Sequence, residues 1–211
     1  MALAWQRLGD RAIRFARIAG NPAAIVRTVR GWPHVVDVVV GHNDIAVYFD
    51  REPVQPCEPS RLARDGAVVA IDPDWIAALD GACNDTGPVR QHVLRCVYDG
   101  ADLEAVAQAC GMEVREVVAR HCSTLYVVET MGFLPGFGYL AGLDARLELA
   151  RRPTPRPRVP ALSIGIAGRH TAVYPFESPG GWHLIGRVLD LPMFDPNGAR
   201  LGLGDWVRFA P

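Results

Sequence analysis

Five arginines lie close together in one proline-rich stretch of the 211-residue chain, and their spacing suits the binding of an anion. Residues 146–158 contain one carboxylate, Glu148, among these arginines, which are Arg146, Arg151, Arg152, Arg156 and Arg158. Prolines at 153, 155, 157 and 160 stiffen the segment as an extended arm. A rigidly held guanidinium group presents a planar fork that binds two oxygens of a carboxylate or phosphate. The alternative is a basic loop that only faces water.

A second motif, residues 132–140, combines backbone-shaping residues with flat aromatic side chains. Glycines and Pro135 restrict the path of the chain, while Phe133, Phe137 and Tyr139 supply the aromatic surfaces. We interpret the segment as a pocket wall where a ligand approaches the backbone closely, for example at Gly136. The alternative is a tight loop that closes one end of a barrel.

A third motif is the sequence Ser178-Pro179-Gly180-Gly181-Trp182. Adjacent glycines expose backbone N–H groups, which predicts a nest for an anion or an oxyanion. Ser178 does not lie in a G-x-S-x-G elbow, so we do not interpret it as a nucleophile. A plain Gly-Gly hairpin has the same sequence pattern.

Two histidines and a tyrosine are candidates for proton transfer. The chain has six histidines, and none has metal-ligand spacing with another histidine or cysteine, so no metal site is predicted. His121 ends a predicted helix and His170 precedes a strand, and imidazole titrates near neutral pH. Tyr174 is the third candidate. The alternative for each histidine is a role in the core or at a helix end.

Composition excludes several function classes. The 22 Lys+Arg residues are all arginines, which excludes a Schiff-base lysine, a P-loop lysine and a kinase strand lysine. A formal net charge of -1 argues against a nucleic-acid partner, because such proteins neutralise several phosphates. Five cysteines without a C-x-x-C pair favour reduced thiols in a cytoplasmic protein. No signal peptide or bilayer-spanning apolar run is visible, so we expect no membrane association.

The elements that must position these groups begin with a β-α-β-β pattern. Strands are predicted at residues 12–16, 35–40 and 45–49, and a helix begins at Asn21-Pro22 and ends near Val29. This order predicts a helix packed on an antiparallel sheet.

The chain then reaches a predicted domain boundary. The proline-rich residues 51–60 predict a loop, and Asp72-Pro73-Asp74 predicts the start of a second helix. The turn-rich residues 84–88 mark the boundary between the two predicted domains.

The second domain is predicted to be a compact β-barrel or sandwich with a helix pair. The helices are predicted at 103–110, capped by Asp102 and ended by Gly111, and at 113–121. The pair resembles a helix-turn-helix, but the second helix carries too few basic residues to read DNA. The predicted strands lie at 93–98, 163–167, 171–174, 183–188 and 206–209, with a hairpin turn at 195–198.

Several motifs occur together in one order, and this series resembles a known family. The matching residues are His121, Tyr126, Gly132-Phe133-Leu134-Pro135-Gly136-Phe137-Gly138-Tyr139-Leu140, Pro155-Arg156, Val159-Pro160, Ile166-Ala167-Gly168, Tyr174-Pro175 and Ser178-Pro179-Gly180-Gly181-Trp182-His183-Leu184-Ile185-Gly186-Arg187. The series is similar to that of the 5-oxoprolinase B subunit, also called allophanate hydrolase subunit 1, and of the KipI-like kinase inhibitors. The similarity is strong from residue 89 onward and fainter in the residues before 89.

The resemblance implies an α+β protein with two domains. An N-terminal α/β sandwich-like domain (1–88) would precede a cyclophilin-like β-barrel domain (89–211). The implied activity is ATP-dependent opening of 5-oxoproline, or of a related lactam or ureido compound, by an enzyme in which this chain is active only with partners. The implied partners are the family's C subunit, similar to the companion half of a urea carboxylase carboxyltransferase domain, and a further hydrolase subunit. ATP would be bound by or shared with the partner, and Mg²⁺ is a further candidate cofactor.

In this interpretation Arg156 and Arg158 hold a carboxylate or phosphate, and the aromatic loop and residues 178–182 complete the pocket. The chain departs from the family pattern at Leu162, where a glycine is usual, and at Arg169-His170, where Gly-Gln is usual. If these positions touch the substrate, this chain takes a different one. Two other functions stay open: a KipI-like regulator that binds a histidine kinase, and, by fold analogy alone, a prolyl isomerase.

Overall fold

Two units make up the chain, Met1–Pro88 and Val89–Pro211. A computed structural model describes residues 4–54, 68–82, 89–189 and 192–211 of them. The units together contain helices, open sheets and a closed barrel, so the predicted α+β class with a β-barrel is confirmed. The predicted boundary at residues 84–88 and the predicted loop residues 55–60 lie outside the described residues.

The first unit contains a four-stranded antiparallel sheet with a helix between its second and third strands. The strands are β1 (Trp5–Arg7), β2 (Ala12–Ala16), β3 (Val35–Val40) and β4 (Asp44–Phe49), in the spatial order β1-β2-β4-β3. Helix α1 (Pro22–Arg30) begins after Asn21, whose side chain accepts a hydrogen bond from Ala23 N at 3.0 Å. Its buried residues include Ile25 and Val29. The predicted β-α-β-β pattern is confirmed, and β1 is an addition that the sequence did not indicate.

Two short strands follow, and the first of them lies in the segment that was predicted to be a loop. β5 (Glu52–Val54) pairs in parallel with β6 (Val68–Ala70), so the loop prediction is wrong for residues 52–54. A two-stranded sheet consists only of edge strands, and there a proline such as Pro53 is tolerated without an N–H to donate. Helix α2 (Pro73–Ala82) begins where it was predicted, with Asp72 Oδ1 accepting from Asp74 N at 2.8 Å.

The second unit is built on a seven-stranded closed barrel. The strands of this unit, inside and outside the barrel, are β7 (Gln91–Val97), β8 (Tyr126–Met131), β9 (Gly138–Ala141), β10 (Arg156–Val159), β11 (Ser163–Ala167), β12 (His170–Val173), β13 (Ser178–Gly180), β14 (His183–Val188), β15 (Phe194–Asp195), β16 (Gly198–Ala199) and β17 (Trp206–Ala210). The order of the strands around the barrel is β11-β12-β9-β8-β17-β7-β14. Among the barrel strands that the structure describes, only β7 and β17 pair in parallel. β10 pairs with β13, and β15 with β16. Every strand predicted for this region is present, displaced by at most two residues.

The helix pair of the second unit follows β7. Helix α3 (Leu103–Cys110) ends at Gly111, whose φ of 64° is the predicted left-handed conformation. Helix α4 (Val114–Ser123) leads into β8. The prediction that Asp102 caps α3 is wrong, because its side chain makes no hydrogen bond to the helix start and is directed elsewhere.

The barrel encloses the main core of the second unit. Barrel strands and helix α3 both contribute to this core, which includes Leu94, Val106, Tyr126, Leu140, Ile164, Ile166, Ile185, Val207 and Phe209. A smaller cluster lies beside it, formed by Phe137, Val159, Ala167, Ala172, Tyr174, Trp182 and Leu184. In the described residues no helix is long and apolar enough to cross a bilayer.

Candidate functional site

The loop between β8 and β9 has an unusual backbone. Phe133 and Gly136 have φ values of 73° and 81°, and a bulky residue such as phenylalanine rarely adopts this conformation. Gly136 is required there, since a Cβ would come within 2.7 Å of Met193 O. The loop lines a surface depression of about 430 Å³, and the Phe133 side chain is 57% exposed beside it. Strain of this kind is concentrated at ligand sites.

Four aromatic rings surround Phe137 and bring the predicted motifs together. Each ring meets Phe137 edge to face, which is the favourable arrangement for aromatic quadrupoles. The centroid distances are 5.3 Å to Phe133, 5.0 Å to Tyr139, 5.4 Å to Tyr174 and 5.7 Å to Trp182. We call these five residues the aromatic cluster. The loop motif, the glycine motif and Tyr174 are therefore neighbours in the fold.

The predicted arginine arm is held by a buried carboxylate that the sequence did not identify. Asp102, 4% exposed, accepts hydrogen bonds from Arg156 Nη2 at 2.6 Å, Arg152 Nη1 at 2.9 Å and Leu184 N at 2.7 Å. Burial alone would raise the pKa of Asp102, but the hydrogen bonds from Arg156 and Leu184 and the two arginine charges outweigh it and lower that pKa. Asp102 is therefore a carboxylate, and the three side chains together carry one positive charge.

The β10–β13 ribbon places Arg156 and Ser178 on one face. Arg156 pairs with Gly180 and Val159 pairs with Ser178, with a bulge between the two pairs. Cross-strand partners point to the same side of a ribbon, and so do residues two apart in one strand. Ser178 and Gly180 are two apart in β13, so Arg156, the partner of Gly180, lies on the same face as Ser178. The bulge takes up the extra residue of β10 between the two pairs. Among the residues that the structure describes, Arg156 Nη1 and Ser178 Oγ are buried atoms without a hydrogen-bond partner. Pro179, which lies between Ser178 and Gly180 in β13, points to the other side and is exposed.

Gly180 makes room for Tyr174. A Cβ on Gly180 would overlap the Tyr174 hydroxyl and would lie 2.9 Å from the ring carbons, whereas one on Gly181 would meet nothing closer than 3.7 Å. Burial raises the pKa of Tyr174, and the backbone N–H of Trp182 donates a hydrogen bond to the hydroxyl oxygen. The hydroxyl oxygen lies against Gly180, on the side of the ribbon to which a side chain at Gly180 would point. Neither Gly180 nor Gly181 has a positive φ in the described chain, so these glycines do not form the predicted anion nest.

Arg158 lies apart from Arg156. Its side chain is 82% exposed and lies 3.8 Å from Glu177 Oε1. This is the geometry of a surface charge, which contributes little to stability. Of the two arginines that the sequence interpretation assigned to anion binding, Arg156 is therefore fixed and partly buried, whereas Arg158 faces solvent.

His121 is in the barrel core with both ring nitrogens hydrogen-bonded. Thr171 donates to Gly165 O at 3.0 Å, so its oxygen must accept from His121 Nε2–H at 2.9 Å. His121 Nδ1 is then unprotonated and accepts from the Tyr98 hydroxyl at 2.6 Å. Cys122 Sγ in turn donates to the Tyr98 oxygen at 3.1 Å. Burial lowers the pKa of His121 from 6.5 to about 3. The rings around it are those of Tyr98, Tyr126 and Phe209, which do not belong to the aromatic cluster.

His170 borders the aromatic cluster, with its ring centroid 6.1 Å from that of Tyr139. Its Nε2 lies 2.6 Å from Glu129 Oε2, and Arg169 Nη2 donates to Glu129 Oε1 at 2.9 Å. A carboxylate in this position orients an imidazole ring. The sequence interpretation missed Glu129, and it missed Asp102 as a partner of the arginine arm, because only the fold brings each carboxylate to its partner.

The ribbon face does not fit the phosphates of ATP. The sequence has no lysine, the glycine pair forms no nest, and the Asp102–arginine group carries a single net positive charge. A nucleotide site needs several backbone N–H groups and a cation around its phosphates. We therefore assign no step of the chemistry to ATP bound at this face.

Comparison with known proteins first defines the class. The sequence profile described as "Carboxyltransferase domain, subdomain C and D" matches residues 12–203. A crystal structure of TTHA0988 superimposes with a TM-score of 0.70 at 32% identity over 95% of this chain and 39% of that chain. The Kluyveromyces lactis urea amidolyase shares the fold, with a TM-score of 0.69 at 17% identity over 99% of this chain and 15% of its own. The chain thus spans about two fifths of TTHA0988 and a smaller part of the amidolyase.

Curated relatives narrow the class. The 5-oxoprolinase B subunit of Escherichia coli O157:H7 is 40% identical over 190 residues, 85% of this chain and 79% of the relative. The protein of that name from Haemophilus influenzae is 44% identical over 189 residues, 88% of this chain and 84% of the relative. The chain belongs to the carboxyltransferase family of the 5-oxoprolinase B subunit, and the resemblance stated from its motifs is confirmed. By these names its relatives are subunits of a hydrolase-type enzyme.

Proposed function

We propose that this chain is a subunit of an ATP-dependent 5-oxoprolinase-type amidohydrolase. It would open 5-oxoproline, or a related lactam or ureido compound, together with a partner of the family's C subunit type and a further hydrolase subunit. The observation that carries the proposal is the 40% identity over 190 residues with a protein named as the B subunit of 5-oxoprolinase. ATP, with Mg²⁺, is assigned to a partner subunit, since the face described above does not fit it.

The geometry of the second unit supports a lactam as ligand. A flat ring suits the edges of the aromatic cluster, and a carboxylate suits the buried nitrogen of Arg156 and the hydroxyl of Ser178. Tyr174 O–H would donate to the lactam carbonyl and so favour charge that develops on its oxygen. His170, oriented by Glu129, is the candidate for proton transfer at the edge of the cluster.

The test is ATP hydrolysis by the purified chain, alone and mixed with the products of its neighbouring genes, with and without 5-oxoproline. We expect 5-oxoproline to stimulate hydrolysis only in the mixture. If no lactam or ureido compound stimulates hydrolysis and the chain binds a histidine kinase tightly, the proposal fails in favour of a KipI-like regulator.

A further inference from the structure

Asp102 connects three parts of the second unit at one point. It lies at the start of α3, accepts from the backbone of β14 through Leu184 N, and accepts from two arginines of the arm, Arg152 and Arg156. Both guanidinium groups donate to the same oxygen, Oδ1. The orientation of both guanidinium groups is therefore set by the Asp102 carboxylate as well as by the backbone of the arm.

The arrangement leaves polar atoms directed away from Asp102. Arg156 uses Nη2 for Asp102, and its Nη1 is buried without a partner in the described part of the chain. Ser178 is 7% exposed, and its Oγ is likewise buried without a hydrogen-bond partner among the described residues. Burial of an unpaired donor costs free energy, about 1–3 kcal/mol in typical proteins, so a pair of them on one ribbon face indicates a ligand. Tyr174, against Gly180, adds its O–H to the same face.

The charges at this point indicate which anion fits. One carboxylate and two guanidinium groups leave a single net positive charge, which balances a carboxylate but not a phosphate dianion. The planar fork of Arg156, fixed through Nη2, presents Nη1 in a constant direction.

We propose that Asp102 is a positioning residue, which holds Arg152 and Arg156 so that Arg156 Nη1 and Ser178 Oγ bind the carboxylate of a monoanionic lactam. This inference rests on the proposed function for the lactam, and on the contacts above for the carboxylate. Asp102 itself touches no substrate. It selects a carboxylate over a phosphate dianion by its charge and by the direction it gives to Arg156.

The test uses the whole purified chain with ¹⁵N-labelled arginine, followed by NMR during titration with 5-oxoproline, with the neutral lactam 2-pyrrolidone, and with inorganic phosphate at constant ionic strength. The variant is Asp102→Asn, and Asp99→Asn is its matched control, because Asp99 is exposed and pairs with Arg187 at 3.0 Å. The Arg156 signals are identified by their loss in Arg156→Lys. We expect 5-oxoproline, and not 2-pyrrolidone, to shift them in the wild-type chain.

In Asp102→Asn we expect the preference for 5-oxoproline over phosphate to fall about tenfold, because lost positioning and the additional net positive charge both act in that direction. The separate Nη signals that mark hindered rotation of Arg156 should merge. Asp99→Asn should keep the wild-type preference. An unchanged preference in Asp102→Asn, an equal response to both lactams, or no response of Arg156 overturns the inference.

Ser178→Ala is the second variant and tests the site even if Asp102→Asn does not fold. Removing an unpaired buried hydroxyl should leave the thermal midpoint unchanged or raise it, while affinity for 5-oxoproline falls about threefold to tenfold. A purely structural serine would show the opposite, a lower midpoint with unchanged affinity. Binding without ATP-dependent turnover in the subunit mixture would refute the proposed function only. Turnover without any Arg156 response would refute the inference only.

Discussion

Acidification should destabilise the barrel through His121, and the size of the effect follows from its surroundings. The pKa of His121 is lowered from 6.5 to about 3, because burial penalises the charged ring. Below pH 6.5 the unfolded chain binds a proton that the folded chain refuses, so each pH unit costs about 1.4 kcal/mol until the folded ring titrates near pH 3. The stability contributed by the neutral ring is thus present above pH 6.5 and falls by about 3 kcal/mol at pH 4.

His121→Gln isolates this contribution, since glutamine keeps a donor and an acceptor but does not titrate. At pH 7 the variant should be less stable by about 1–3 kcal/mol, because it loses ring contacts with Tyr126 and Phe209 and part of its hydrogen bonding. Its stability should decline less with acid, so the two stability curves should converge as the pH falls from 7 to 4.

Native-state hydrogen exchange at the buried amides of β11 measures the free energy of unfolding of this unit by itself. The ring protons of His121, followed by NMR, report its titration directly. Parallel stability curves for the two proteins, or a His121 ring that titrates between pH 5 and pH 8, would refute the reasoning.

Three further outcomes are expected. Gly180→Ala should lower stability by about 1–3 kcal/mol in thermal unfolding, because its methyl group would overlap the tyrosine hydroxyl, while Gly181→Ala, with room for a methyl group, should stay within about 0.5 kcal/mol of wild type. At Leu162, where φ is 66°, the Leu162→Gly variant should be more stable than Leu162→Ala by about 1 kcal/mol in urea unfolding, the reverse of the usual order; equal stabilities would contradict a strained backbone. In the subunit mixture, Arg156→Lys should lower kcat/KM for 5-oxoproline about tenfold or more, and Arg158→Lys should leave it unchanged; equal losses would show that the arm acts only as general charge.

The local parts of the fold were predictable because their signals lie within a few residues. Asn21-Pro22 and Gly31 bound α1, and Gly111 ends α3 in the expected left-handed conformation. Short apolar segments between glycines and prolines located five of the seven barrel strands, whereas β8 and β9 were not predicted. β1 and β5 were missed, since three-residue strands are too short to show a periodic pattern.

The candidate site was predictable in its residue types but not in its connections. The aromatic loop, Tyr174 and Trp182 were named from sequence, and the fold brings them into one cluster. Asp102 looked like a helix cap, because a cap signal is local, whereas its actual partners Arg152 and Leu184 are 50 and 82 residues away. No sequence pattern connects residues so distant.

Leu162 illustrates how a family departure acquires physical meaning. The resemblance implied a glycine at this position, and the structure gives a positive φ there, which is the conformation that glycine tolerates best. The departure therefore concerns backbone strain beside β11. Its effect on substrate choice stays a prediction.

The position of β17 in the barrel has a consequence for biosynthesis. Residues Trp206–Ala210 lie between β7 and β8, so the last barrel strand to leave the ribosome joins the first two. Until it arrives, β7 and β8 expose unpaired edges, which are prone to associate with other chains. A nascent chain that stalls before Trp206 should therefore depend on chaperones, and a premature stop there removes the closure of the barrel.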